Sequence, residues 1–217
     1  MRKMLKKEMT LSASFLSYLF IAFALLAFCP GYPILLSAFF VCLGLFQSFQ
    51  YAREANDIVY SSLLPVPKAD VVRGKYAFCV LIELCAFVLS AIVTLLRMTA
   101  LSEAAAYRAN ALMNANPAFL GFMLLIFGLF NAIFVRGFFR TGYYFAKPFV
   151  AFIIVSFVVV LIAEALHHVP GLEAVNAFGF EHAGLQAAIL AAGAVVFVLL
   201  TLVSEKSAIR LFEKVDL

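Results

Sequence analysis

Stretches of roughly 18 to 22 predominantly apolar residues recur along the chain, each long enough as a helix to cross a hydrocarbon core of about 30 Å. They fall near 12–29, 32–49, 76–97, 118–135, 148–166 and 184–203. No water-soluble packing hides so much apolar surface: 65% of the 217 residues are hydrophobic and 13% charged, against about half and about a quarter in ordinary globular domains. The runs are continuously apolar and lack the alternation that strands of a membrane barrel require, whereas a helix satisfies its own backbone polar groups in lipid. The expected fold is all-α: a polytopic membrane protein with about six transmembrane helices, forming a single domain over residues 1–217.

Pro30, Gly31 and Pro33 mark a tight turn between the first two spans, and Pro117 and Pro148 stand where a helix can begin. Lysine and arginine sort into alternate connections. Fourteen of the 16 lie before the first span, after the second, after the fourth or after the sixth, leaving only Arg97 and Arg108 for the other side. Cytoplasmic segments hold such residues in excess, so both termini are expected in the cytoplasm, with an even number of spans between them. The formal net charge of +4 then reads as a topology signal beside lipid headgroups and calls for no nucleic acid.

Three smaller features carry expectations. Cys42, Cys79 and Cys85 sit inside apolar runs as small hydrophobes, and the bulky Phe28 before Cys29 argues for a retained anchor over a cleaved signal. Residues 2–11 alternate basic and apolar side chains, which suits a helix lying on the membrane surface. Gly184, Ala188 and Ala192, widened by Ala187 and Ala191, form a small-residue stripe expected to pack against another helix of the same chain, with a dimer seam as the alternative.

Catalytic machinery is not visible. Gly74-Lys75 superficially suggests a phosphate loop, but Tyr76 replaces the required hydroxyl residue and Ala69 the earlier glycine, so no ATP is expected on this chain. His167, His168 and His182 match no zinc spacing, and neither a nucleophile elbow nor a metalloprotease helix occurs; no metal and no enzymatic activity are expected. Glu83 and Glu164 interrupt apolar runs. A charge at mid-helix costs about 2.5 to 3.5 kcal/mol on insertion scales, so Glu83 is the candidate intramembrane polar site: protonated, hydrogen-bonded to another helix, or part of a relay. Glu164 lies nearer the interface.

The segment 50–75 is the longest connection, well beyond the roughly 2 to 8 residues that join bundle helices. Its mixture of charged, aromatic and apolar residues is suited to docking a cytoplasmic protein. Pro67 is expected to start a short amphipathic helix running to about Lys75, parallel to the membrane, with Ala69, Val72 and Tyr76 near one face.

Within that segment, Asn56-Asp57, Leu63-Leu64-Pro65-Val66, Lys68, Val71 and Lys75-Tyr76 resemble a pattern of the permease subunits of type-2 ATP-binding-cassette exporters, in their small bacterial six-span form. The aromatic and basic stretch Phe134–Tyr144 and the lead Leu5–Leu11 are similar to further parts of that family. The resemblance implies a half-transporter in a bacterial plasma membrane, paired with a second permease copy or paralogue. Separate cytoplasmic ATPase subunits would bind ATP and magnesium, so this chain would carry no cofactor. Residues from about Glu54 to Lys75 would couple to the ATPase, and the apolar outer loop His167–His182 would gate the exit. Competing readings are a secondary transporter using Glu83 and a non-transporting scaffold or immunity protein.

Overall fold

The computed structural model describes residues 2–215 apart from positions 64, 109, 143 and 167. Every regular element assigned among these residues is helical. A lead helix α1 (Arg2–Lys7) continues as a π turn (Glu8–Ser12), and α2 (Phe15–Leu19) continues as a 3-10 helix (Phe20–Phe28). Then come α3 (Leu36–Glu54), α4 (Asp57–Leu63), α5 (Lys68–Met98), the short α6 (Ala105–Arg108), and α7 (Pro117–Leu129), which runs through a π segment (Phe130–Val135) into α8 (Arg136–Phe139). Last are α9 (Ala146–Leu166), a 3-10 turn (Glu173–Asn176) and α10 (Ala183–Phe212).

Among the described residues, four helical stretches are long and apolar enough to cross a membrane: Lys68–Met98, Pro117–Phe139, Ala146–Leu166 and Ala183–Phe212. A fifth is reached if the bent pair Lys3–Ser12 and Phe15–Phe28, at 102° to one another, counts as one span. Two of the six expected spans are therefore weaker in the structure than in the sequence pattern. The second half of α3 is diluted by Gln47, Gln50, Arg53 and Glu54. The first span loses residues 12–14, where the π turn ends, Ala13 is extended and the Ser14 hydroxyl caps α2 by accepting from Leu16 N–H. What remains is lengthened by its winding: five α and nine 3-10 residues rise roughly 25 Å together.

The core is built on aromatic rings from α3, the π segment and α9. Phe46 stacks on Phe149 with centroids 3.7 Å apart and planes 9° apart, and Phe49 meets Phe134 edge-on at 4.9 Å. Such pairs add about 0.5–1.5 kcal/mol each beyond the area they bury. The most extensive helix pair is α7 with α10, which approach backbone to backbone. A Cβ on Gly121 would come within 2.7 Å of the Ile189 carbonyl oxygen, and one on Gly193 would collide with the Gly121 carbonyl.

That contact corrects the stripe expected on the last span. Ala187, Ala188, Ala191 and Ala192 are exposed, and nothing lies near Gly184, whereas Gln186, Gly193, Phe197, Thr201 and Ser204 face the bundle. The packed face of α10 is carried by one glycine opposite another, not by the run of alanines.

The basic connections gather at one end of the bundle. Lys7 reaches Asp57 and Ser61, Arg73 lies 3.8 Å from Glu205, Lys68 donates to the Val215 carbonyl at 2.7 Å, and Arg136 donates to the Ser207 hydroxyl at 2.8 Å. Arg97 is at the other end, donating to the Ala27 carbonyl at 2.7 Å with its guanidinium 4.2 Å above the Tyr107 ring.

Candidate functional site

The segment singled out by sequence is organised by its breaks. Helix α3 stops at Glu54 and Asn56 adopts φ 52°, a left-handed conformation that asparagine tolerates better than most residues. The Asn56 carbonyl then accepts from Tyr60 N–H at 3.0 Å and so begins α4. Asp57 occupies the first turn, where a carboxylate complements the helix dipole. Pro65 and Pro67 prevent further helix, and from Lys68 to Met98 nothing interrupts one. The short helix expected over 67–75 is thus the first part of α5, continuous with its apolar stretch. The separate surface helix is α4.

Helix α4 has two faces. Ile58 and Ser61 are buried, while Val59, Tyr60 and Leu63 point outward, the last two 72% and 79% exposed. The inward face is held by charge. Lys7 Nζ lies 2.6 Å from Asp57 Oδ2 and 2.9 Å from both Ser61 Oγ and Glu8 Oε1. The other Glu8 oxygen takes Lys75 Nζ at 2.6 Å, and that ammonium also lies 5.1 Å from the centre of the Phe49 ring. Glu8 and Lys75 are each 1% exposed. Burial alone would push the Glu8 carboxyl up, but Lys75 and Lys7 outweigh it and hold the group below the usual carboxylate range. Gly74 lets the lead settle here, since a Cβ at that position would meet Met4 Cβ at 2.8 Å.

The expected docking residues therefore divide. Asn56, Leu63 and Pro65 are exposed, Asp57, Val66 and Lys68 are partly buried, and Val71, Lys75 and Tyr76 are buried to 1% exposure. Leu64 and His167 lie outside the described residues. Sequence reasoning missed Lys7 and Glu8 as partners of this segment and Val59 and Tyr60 as its outward face. One signal was present: Glu8 is the single acid in a lead that holds Arg2, Lys3, Lys6 and Lys7.

A second polar group is formed within the bundle. Asn131, in the π segment, donates through Nδ2 to Glu83 Oε2 at 2.9 Å and to Thr201 Oγ1 at 3.2 Å, and Tyr76 donates its hydroxyl to the Asn131 carbonyl at 3.2 Å. Glu83 and Asn131 are both fully buried. Asn131 was legible by the reasoning that picks out Glu83, as an amide inside an apolar run.

At the far end amides do the work. Asn114 N–H donates to Asn176 Oδ1 at 2.6 Å, Asn116 Nδ2 to the Val175 carbonyl at 3.0 Å, and Gln186 Nε2 to the Ala177 carbonyl at 2.9 Å. These bonds dock the connection between α9 and α10, burying Val175 while Leu172 and Phe180 stay exposed. Among the described residues no group of three or more His, Cys, Asp or Glu is placed to hold a metal.

No curated protein and no solved structure matches the chain. Residues 3–213, which contain the lead, α4 and every long helix, match the family described as ABC-2 family transporter protein. The match covers nearly the whole chain, and it agrees with the several membrane-crossing helices found here: the chain belongs to the ABC-2 transporter family, as a multi-pass membrane permease.

Proposed function

We propose that this chain is the permease subunit of an ATP-driven exporter, forming half of a translocation pathway and coupled through α4 to a separate cytoplasmic ATPase subunit. Its basic end, with both termini, faces the cytoplasm, and Phe15–Phe28 and α3 complete six spans. A second permease copy or paralogue supplies the other half. ATP and magnesium belong to the ATPase subunit, since Lys75, the one lysine in a loop-like Gly-Lys pair, is engaged by Glu8.

The observation that carries the reading is the charged clamp. It ties an exposed apolar helix face, Val59, Tyr60 and Leu63, to the start of α5 through Asp57, Lys7, Glu8 and Lys75. A push on α4 is passed by two 2.6 Å ion pairs to the base of the 31-residue α5, and buried pairs resist separation because each partner would be left as an unpaired charge. Moving a two-state bundle from 1:99 to 99:1 takes about 5.5 kcal/mol of differential binding, a scale that nucleotide-driven closure of two ATPase subunits can meet.

Co-purification with a cognate ATPase subunit tests this reading. Tyr60→Glu with Leu63→Glu should abolish association while the permease still folds, and unchanged association removes α4 as the docking site. Labelling of a cysteine at Lys68 from outside intact cells would overturn the orientation.

A further inference from the structure

The Glu83 and Asn131 side chains are joined at only one of two possible contacts. Asn131 Nδ2 donates to Glu83 Oε2 at 2.9 Å, but Glu83 Oε1 and Asn131 Oδ1 are both buried and have no hydrogen-bond partner. Both of these oxygens accept hydrogen bonds and neither donates, so as a carboxylate beside an amide the pair leaves two buried acceptors unsatisfied, each with a desolvation cost. No ion pair reaches Glu83 among the described residues.

The titratable groups around it offer no cation. Cys42 from α3 and Cys79 from α5 itself are its thiol neighbours. Tyr76, about two helical turns further toward the basic end, is already committed to the Asn131 carbonyl, and α10 contributes the Thr201 hydroxyl. Lys75 is engaged by Glu8, and Arg136 and Arg73 bind Ser207 and Asp70 at the basic end. An ionised Glu83 would thus be an uncompensated charge in a hydrocarbon-level core, whereas a neutral acid in such a place can donate a hydrogen bond.

We propose that Glu83 is a proton-binding site: it carries a proton on Oε1 that is donated to Asn131 Oδ1, closing a two-bond acid–amide pair between α5 and the π segment. One proton satisfies both orphaned oxygens and removes the charge. The second amide hydrogen of Asn131 goes to Thr201, so the pair joins α5, the π segment and α10 at one neutral joint. The π winding over Phe130–Val135 fits this role, because such bulges re-aim a side chain within a helix and recur at functional positions. Glu83 and Asn131 are then positioning residues that hold three helices together, and Glu83 is not an open carboxylate available to a cationic solute.

The test uses the full chain, purified and reconstituted at neutral pH, with two readouts. Infrared difference spectra between wild type and Glu83→Gln should contain the carbonyl band of a protonated carboxylic acid, shifted in D2O. The bands of a carboxylate in its place overturn the proposal. Thermal unfolding supplies the second readout. Glutamine keeps both contacts, with its Nε2 donating to Asn131 Oδ1, so Glu83→Gln should unfold within about 2 °C of wild type, while Glu83→Ala should fall by roughly 5 °C or more. Glu83→Gln unfolding as early as Glu83→Ala means that the negative charge itself was needed, and sinks the idea. Because neither readout involves the ATPase, failure here leaves the coupling proposal standing.

Discussion

The two ends of this bundle solve the same mechanical problem with different chemistry. At the basic end, a surface lead and a short helix are fastened by a chain of charges, Asp57 to Lys7 to Glu8 to Lys75, with contacts of 2.6 to 2.9 Å. At the far end, the connection between α9 and α10 is fastened by the neutral amides Asn114, Asn116, Asn176 and Gln186, each donating to a backbone carbonyl. Charges make a strong but conditional fastening, since removal of one partner strands another in low dielectric. Amide bonds are individually modest and insensitive to pH. The contrast places conditional chemistry where a partner is proposed to push, and unconditional chemistry at the opposite end.

The sharpest way to break the comparison is Lys75→Met, which leaves Glu8 with Lys7 alone and should cost about 3–5 kcal/mol. The double variant Glu8→Gln with Lys75→Met should recover most of that loss in thermal unfolding of the detergent-solubilised protein. The same clamp predicts acid sensitivity. The Glu8 carboxyl is held below its ordinary value of 4.5, so its stabilisation is present above that value and is lost as pH falls through and below it. Wild type should lose stability in acid more steeply than Glu8→Gln.

Next in size, Gly193→Val should force α7 and α10 apart and cost about 3 kcal/mol, at the upper end of overpacking effects. Its unfolding temperature should drop with no change in acid sensitivity. Asn116→Ala removes a bond to Val175 and the cap on Phe119 N–H, at 3.0 and 2.9 Å, for a loss of about 1–2 kcal/mol. Limited proteolysis of the connection between α9 and α10 should rise in that variant. The smallest expected effect is Leu63→Glu, which touches nothing inside and should change stability by no more than about 0.5 kcal/mol. If it destabilises strongly, α4 is not the free surface described here.

Much of this architecture is legible from residues taken locally. The apolar blocks locate the long helices, and the alternation of basic connections separates the two ends before any contact is known. The residues that pair across the sequence are not legible in that way. Lys75 finds Glu8 across 67 positions, and Glu83 finds Asn131 across 48; hydropathy says that each is costly, not which partner offsets it. The docking segment shows the same limit. Its prolines and Asn56 mark where helix must stop, but whether the surface helix lies before or after Pro65 depends on Ser61 and Ile58 packing inward beneath the lead. The glycine–alanine stripe of the last span misleads as to packing within the chain, because spacing identifies a face that could pack closely. Only the position of α7 decides that Gly193 is used and Ala188 is not.

The 3-10 winding of Phe20–Phe28 stretches that segment beyond the length of an α-helix with as many residues. Its nine residues cover roughly 18 Å at three residues per turn and about 13.5 Å as an α-helix. It is pinned on either side: Tyr18 holds the Met9 carbonyl, and Arg97 and Tyr107 hold those of Ala27 and Phe28. Between those fixed carbonyls the 3-10 winding covers the distance with fewer residues than an α-helix would need.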